Sequence, residues 1–164
     1  NLTVSPIHGK MILYGCKNGC LDAIIAMVCI IEKGLNTLIH SADFKLPILY
    51  NTYMSDHVNL WLIYNHYLEH PNNPMFKQKG FIDLNDRITQ IKTAVVNAGL
   101  PLNNNYEHTL NDTCMAIKKS VLDVIGEQVA HQDKDNNIIY SNGTVKGKLS
   151  SSYLFNNRRP MTSI

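Results

Sequence analysis

Apolar residues recur along most of this chain at intervals of three and four, the spacing that gathers them on one face of an α-helix. Ser5-Pro6 opens the first such stretch, with proline at a position where its missing N–H costs nothing. Ile7, Met11 and Tyr14 carry the helix to about Tyr14, and Gly15 and Gly19 predict the turn after it. Cys20 to Lys33 reads as a second helix, with Leu21, Ile24, Ile25, Val28 and Ile31 in register and Gly34 at its C-terminal stop. An antiparallel hairpin of two short helices is expected. Leu35 to Met54 is less regular, and Pro47 forbids one continuous helix, so a short helix and a loop are expected there.

The stretch from Ser55 to Leu68 is the one around which the rest is expected to pack. Ser55 suits an N-cap, Asp56 places negative charge at the positive end of the helix dipole, and Pro71 stops the helix. Val58, Leu60, Trp61, Leu62, Ile63, Tyr64 and Leu68 point in nearly every direction, leaving a narrow polar stripe of Asn59, Asn65, His66 and Glu69. A helix apolar almost all round is buried on several sides.

Beyond the Pro71-Asn72-Asn73-Pro74 breaker, Leu84, Ile88, Ile91, Val95 and Ala98 define a further amphipathic helix, expected to start at Asp83 or Asn85 and to end at Gly99-Leu100-Pro101. Cys114, Ile117, Val121, Ile125 and Val129 mark the buried side of another, spanning about Asn111 to Val129. The texture then changes. His131 to Asn137 is polar, Ile138 to Tyr140 is strand-like, Ser141-Asn142-Gly143 is a hairpin turn signal, and Thr144 to Leu149 reads as the returning strand. A boundary between helices and strands is expected near residue 130.

Composition narrows the function classes only a little. At 164 residues, 45% hydrophobic and 17% charged, the chain is long and apolar enough to bury a core. A net charge of +2 allows a local basic groove without requiring a nucleic-acid partner. Four cysteines, at 16, 20, 29 and 114, fall mainly in helical patterns where a thiol acts as a small hydrophobe, so a reducing, intracellular compartment is expected, cytoplasmic or nuclear, or a virion for a viral protein. No apolar run reaches the ~20 residues that span a bilayer, and no signal peptide is visible. Starting without Met and stopping just after strand-like sequence, the chain is expected to be a fragment of a longer protein.

Asp56-His57-Val58-Asn59-Leu60-Trp61-Leu62-Ile63-Tyr64-Asn65 resembles the S-D-H-L-T-L-L-N-V-Y-N signature of the helicase-associated ratchet domain of DEAH/DExH-box RNA helicases. Other pieces follow in the same order. Pro6 to Ile31, with its Gly19-Cys20-Leu21 step, is similar to the join between winged helix and ratchet in that family; Phe81-Ile82 resembles its F-L pair and Ile91 to Val95 its I-R-x-Q-L. Ile117-Lys118-Lys119 through Val129-Ala130 is similar to the helix ending in N-V-A. Val145 to Phe155 looks like the start of an oligonucleotide/oligosaccharide-binding (OB) fold, with Ser150 to Ser152 near the H-P-S-S element. Asn59, Trp61, Leu62 and Ala94 depart from the family's Thr, Leu, Asn and Gln, which points to a divergent branch such as the poxviral nucleoside triphosphate phosphohydrolase II helicases.

The resemblance implies a mainly α fold, a helical ratchet bundle followed by the first β-strands of an OB fold. It divides the chain into the end of a winged helix (1–19), the ratchet (20–130) and an incomplete OB fold (131–164). It also implies a place in a single-stranded RNA channel and a part in directional translocation and unwinding. Neither G-x-x-x-x-G-K-[ST] nor D-E-x-H occurs, so the fragment holds no cofactor and no catalytic residue, and ATP and Mg²⁺ belong to motor domains expected upstream in the parent. Single-strand binding needs cations along phosphates and polar or aromatic groups at bases. The candidates are Ser55, His57 and Asn59 at the helix N-terminus, Lys77, Lys79, Arg87 and Lys92 as one basic group, and Lys146, Lys148, Ser150, Ser151, Arg158 and Arg159 as another. Each basic residue also fits an ordinary solvated surface, and Asp56 and His57 fit a simple helix cap. Expected partners are single-stranded RNA, the upstream motor and winged-helix domains, and an activator of the glycine-rich-patch kind. No membrane contact is expected. His66 and His70 stand four apart, but without the H-E-x-x-H order, and Cys16 and Cys20 lack a second pair, so no metal site is expected. The competing reading is a helical protein-interaction module with no RNA role.

Overall fold

A computed structural model describes residues 3–40, 55–101, 109–126, 130–132, 138–140 and 146–147. Among these, five α-helices are present: α1 (Pro6–Lys17), α2 (Leu21–Lys33), α3 (Asp56–Glu69), α4 (Gln78–Asn97) and α5 (Leu110–Ile125). A single 3-10 turn, Leu35–Thr37, follows α2. The chain divides into two compact units, residues 1–124 and 125–164.

The helix at the centre of the first unit is α2, not α3. Leu21 and every residue from Ala23 to Ile30 are buried, and α1, α3 and α4 all pack on α2. The expected α1–α2 hairpin forms, but α1 runs on through Gly15 to Lys17, because Gly15 is an approach point rather than a turn. A Cβ at Gly15 would lie 2.9 Å from Ile24 Cγ1 and 3.0 Å from its Cβ, so only glycine lets the two backbones come this close. The turn itself is made by Asn18 and Gly19, the latter at φ 71°. Gly34, at φ 86°, ends α2 as expected.

In α3, by contrast, only Val58, Asn59, Leu62, Ile63 and Tyr67 are buried, while Leu68 is 54% exposed and Leu60, Trp61 and Tyr64 are half-covered. The expectation of a helix enclosed on all sides is therefore corrected to a helix with one buried face. That face carries an aromatic cluster onto α4: Tyr67 stacks on Phe81 with centroids 3.8 Å apart, and Phe76 meets Phe81 edge-on at 5.1 Å. Phe81 and Gly80 also explain why α4 begins at Gln78, ahead of the expected Asp83 or Asn85. A Cβ at Gly80 would run into the Thr37 carbonyl. The 35–40 segment is tied to this helix start by an antiparallel bridge, Ile39 with Phe76, and by bonds from Lys77 N to Leu38 O and from His40 N to Met75 O. Tertiary contacts thus impose helix on residues whose local sequence does not call for it.

Helix α5 opens with a reciprocal cap. Thr109 Oγ1 accepts from Asp112 N at 3.2 Å, and Asp112 Oδ2 accepts from Thr109 N at 3.0 Å. It docks on the α1–α2 corner through Ser120, which is wholly buried and accepts from Asn18 Nδ2 at 2.9 Å while donating to Ala116 O at 2.8 Å. Gly126, at φ 49°, follows its last residue, four residues before the expected end at Val129.

In the second unit, β1 (Ala130–Gln132), β2 (Ile138–Tyr140) and β3 (Lys146–Gly147) form an antiparallel sheet in the order β1-β2-β3. Ala130 pairs with Tyr140 and Gln132 with Ile138, while Ile138 pairs with Gly147. The expected hairpin strands include β2 and β3. The strand β1 falls partly on His131 and Gln132, which were expected to lie in a polar connection. Turn residues 141–143 lie outside the described residues.

Candidate nucleic-acid interface

The N-terminal turn of α3 is built by its cap. Ser55 takes an extended conformation, φ −138° and ψ 120°, and its hydroxyl accepts from Val58 N at 3.4 Å. That bond occupies one acceptor position on the Ser55 oxygen. His57 is half-buried, and the loss of solvent lowers its pKa below the ordinary imidazole value, with Asp56 partly opposing the shift. Asn59 is 2% exposed and belongs to the core, not to an outward polar stripe; its Oδ1 is buried and has no hydrogen-bond partner among the described residues. Ser55 and Asn59 stand one turn apart on the same side of the helix start, whereas His57, two residues from each, faces away from both, so the three are not gathered at one point.

The four cations grouped with this helix do not form a single free patch. Three ion pairs run between α2 and α4: Asp22 with Lys92 at 2.9 Å, Glu32 with Arg87 at 3.1 Å, and Lys33 with Asp83 at 3.2 Å. Arg87 also donates through Nη2 to Thr3 O at 2.7 Å. Lys77 donates to Asn36 O at 2.8 Å. Lys79, in the first turn of α4, is exposed and, among the described residues, is the member of the group without an ion pair or hydrogen bond to another side chain or carbonyl. Lys146 lies in β3, opposite Ile139. Lys148, Ser150, Ser151, Arg158 and Arg159 lie outside the described residues.

What sequence spacing could not reveal is that Arg87 and Lys92 find acidic partners some sixty residues earlier in the chain, on a helix whose own charges number only a few. The positions of Asp22, Glu32 and Lys33 at the two ends of α2, outside its apolar run, were the available signal.

None of the four cysteines is in a disulfide: Cys20, Cys29 and Cys114 are buried, and Cys16 is half-buried. Burial pushes the Cys29 thiol up to about 12 and raises Cys16 and Cys20 as well. For Cys29 the loss of solvent outweighs the opposing Arg87 charge, and thiols raised in this way are poor nucleophiles. No helix among the described residues is long and apolar enough to cross a membrane.

Residues 5–44, which contain α1, α2 and the 3-10 turn, match the family model described as helicase associated domain (HA2), ratchet-like. The similarity to a helicase-associated region covers 40 of the 164 residues. No curated protein matches the chain. The matched helicase-associated segment contains the enclosed helix α2 and its partner α1, whereas the signature-like residues of α3 lie downstream of it.

Proposed function

We propose that this chain is the RNA-binding accessory region of an ATP-dependent DEAH/DExH-type RNA helicase, in a divergent branch of viral type. The observation that carries the reading is the helicase-associated match over α1 and α2, the pair on which the first unit is assembled. The signature-like start of α3, with its Ser55 cap, supports the same assignment. In this reading α3 borders a channel for single-stranded RNA, and the strands after α5 begin an OB fold. ATP and Mg²⁺ act in motor domains upstream, and the ratchet holds the strand between motor strokes so that opening and closing become directional movement. Lys79 and Lys146 are the foremost phosphate contacts, joined by Lys148, Arg158 and Arg159. Arg87 and Lys92 serve the α2–α4 contact instead.

The test is the binding of a fluorescent single-stranded oligouridine to the 164-residue chain over a range of salt concentrations. The logarithm of the affinity should fall linearly with the logarithm of salt, and removing Lys79, Lys146 or Lys148 should each reduce the slope by roughly 0.7. Binding that ignores salt, or no binding at all, sinks the RNA reading. The second reading, a protein-interaction module, is favoured by one observation: three of the four cations grouped toward an RNA patch, Lys77, Arg87 and Lys92, bond within the molecule.

A further inference from the structure

Helix α3 ends in His66-Tyr67-Leu68-Glu69 with His70 as its C-cap, so His66, Glu69 and His70 stand at i, i+3 and i+4 around its last turn. One nitrogen from each imidazole and one carboxylate oxygen lie within 4.8 Å of one another. The two rings meet edge to face, with centroids 4.9 Å apart. His66 is half-buried and held against the Phe76 ring at 5.7 Å, whereas Glu69 and His70 are exposed. One donor is thus anchored by packing, and the other two are free to turn toward it.

We propose that His66, Glu69 and His70 form a three-donor binding site for a zinc-class divalent cation at the C-terminal end of α3. Four physical considerations converge on it. Zinc bonds of about 2.0–2.2 Å in a tetrahedral shell place donors roughly 3.3 Å apart, which exposed Glu69 and His70 reach by side-chain rotation alone. Two imidazoles with one carboxylate match zinc, nickel or copper, whereas magnesium and calcium favour shells of oxygen. The C-terminal end of a helix carries partial negative charge and favours a cation. A cleft of about 440 Å³, lined by Glu69, His70 and residues 71–74, opens beside the cluster and leaves room for water or an outside donor at the fourth position. The order H-x-x-E-H is also that of the inverzincin metallopeptidases. Among the described residues, however, the cluster has no fourth protein donor. With Glu69 used as a ligand, no general base is assigned, and the proposal is one of metal binding without a hydrolytic step.

This site is independent of the RNA reading, and its test requires no nucleic acid. The full chain, stripped with chelator, is titrated with Zn²⁺ against a chromophoric competitor near neutral pH, and with Co²⁺ followed by visible absorption. One equivalent should bind. His70→Ala, at an exposed position, should weaken binding roughly tenfold or more, since even supporting residues of metal sites cost 10–100-fold, and Glu69→Gln should weaken it too. Binding should fade as the pH is lowered, because imidazole must give up its proton to become a ligand. The Co²⁺ spectrum should lack a thiolate charge-transfer band. Failure of the wild-type chain to bind an equivalent overturns the proposal. So does binding by His70→Ala as tight as wild type, or a thiolate band that places the metal on the cysteines.

Discussion

Helices α2 and α3 have similar stretches of apolar sequence and different surroundings. In α2 the residues from Ala23 to Ile30 are small or aliphatic and are buried on every side, and of its apolar residues only Ile31, beside the charged C-terminal end, is exposed. In α3 the apolar positions include Trp61, Tyr64 and Tyr67, amphipathic side chains that accept partial exposure, interspersed with Asn65, His66 and Glu69. A continuous aliphatic run of about ten residues identifies the enclosed helix better than apolar residues spread around a helical wheel, because aromatic residues with polar atoms are at home on a half-covered face.

The contrast can be broken most decisively at the thiol of Cys29. Enclosed in α2, it should react with an alkylating reagent only through unfolding, roughly a thousandfold or more slower than a free thiol, whereas half-buried Cys16 should react through local opening. Mass spectrometry of partly alkylated protein checks the order; equal labelling of the two would show that α2 is not enclosed. Next in size, Ile25→Ala should cost about 2–5 kcal/mol of stability in urea unfolding by leaving a cavity, and Leu68→Ala less than about 0.5 kcal/mol, as is usual at exposed positions. A Leu68 variant as damaging as the Ile25 variant would return α3 to the centre of the fold.

Asn59→Leu sharpens the comparison in the opposite direction. Removing a buried acceptor without a partner should leave stability unchanged or raise it by about 1 kcal/mol. A loss of several kcal/mol would mean that the amide is hydrogen-bonded in the folded protein. The smallest effect is expected from His57. Its folded pKa lies below the ordinary 6.5, so on acidification the unfolded chain takes up this proton first. The stability that His57 contributes is complete above about 6.5 and declines as the pH falls from there toward the lower folded value. His57→Gln should flatten that part of a pH–stability curve; an unchanged curve would remove His57 from its half-buried place.

Short-range signals in the sequence were reliable. Ser5-Pro6, Gly34, Ser55 and Gly99 each act on a neighbouring turn, and each marks a helix end in the structure. Positions governed by distant residues were not legible. Gly15 reads as a turn until Ile24 is known to lie on it, and α4 starts as early as Gln78 because Gly80 and Phe81, just after it, pack on Thr37 and Tyr67. Within the candidate interface, the Ser55 cap was readable from residue type. The engagement of Arg87 and Lys92 was not, since each depends on which face of α4 meets α2. The burial of Asn59 was hidden for the same reason: an asparagine near a helix start looks solvent-facing until the packed face is known.

The three ion pairs across α2 and α4 act together as a register key. If α4 slid by one helical turn in one direction, Lys33 would stand opposite Lys79 in place of Asp83, and Glu32 opposite Asp83 in place of Arg87. Slid the other way, Lys33 would meet Arg87. Each displacement exchanges attraction for like-charge repulsion. Each pair is part-exposed and worth only about 0–1 kcal/mol, yet all three favour one alignment of α4 on α2 and oppose a slip by a turn.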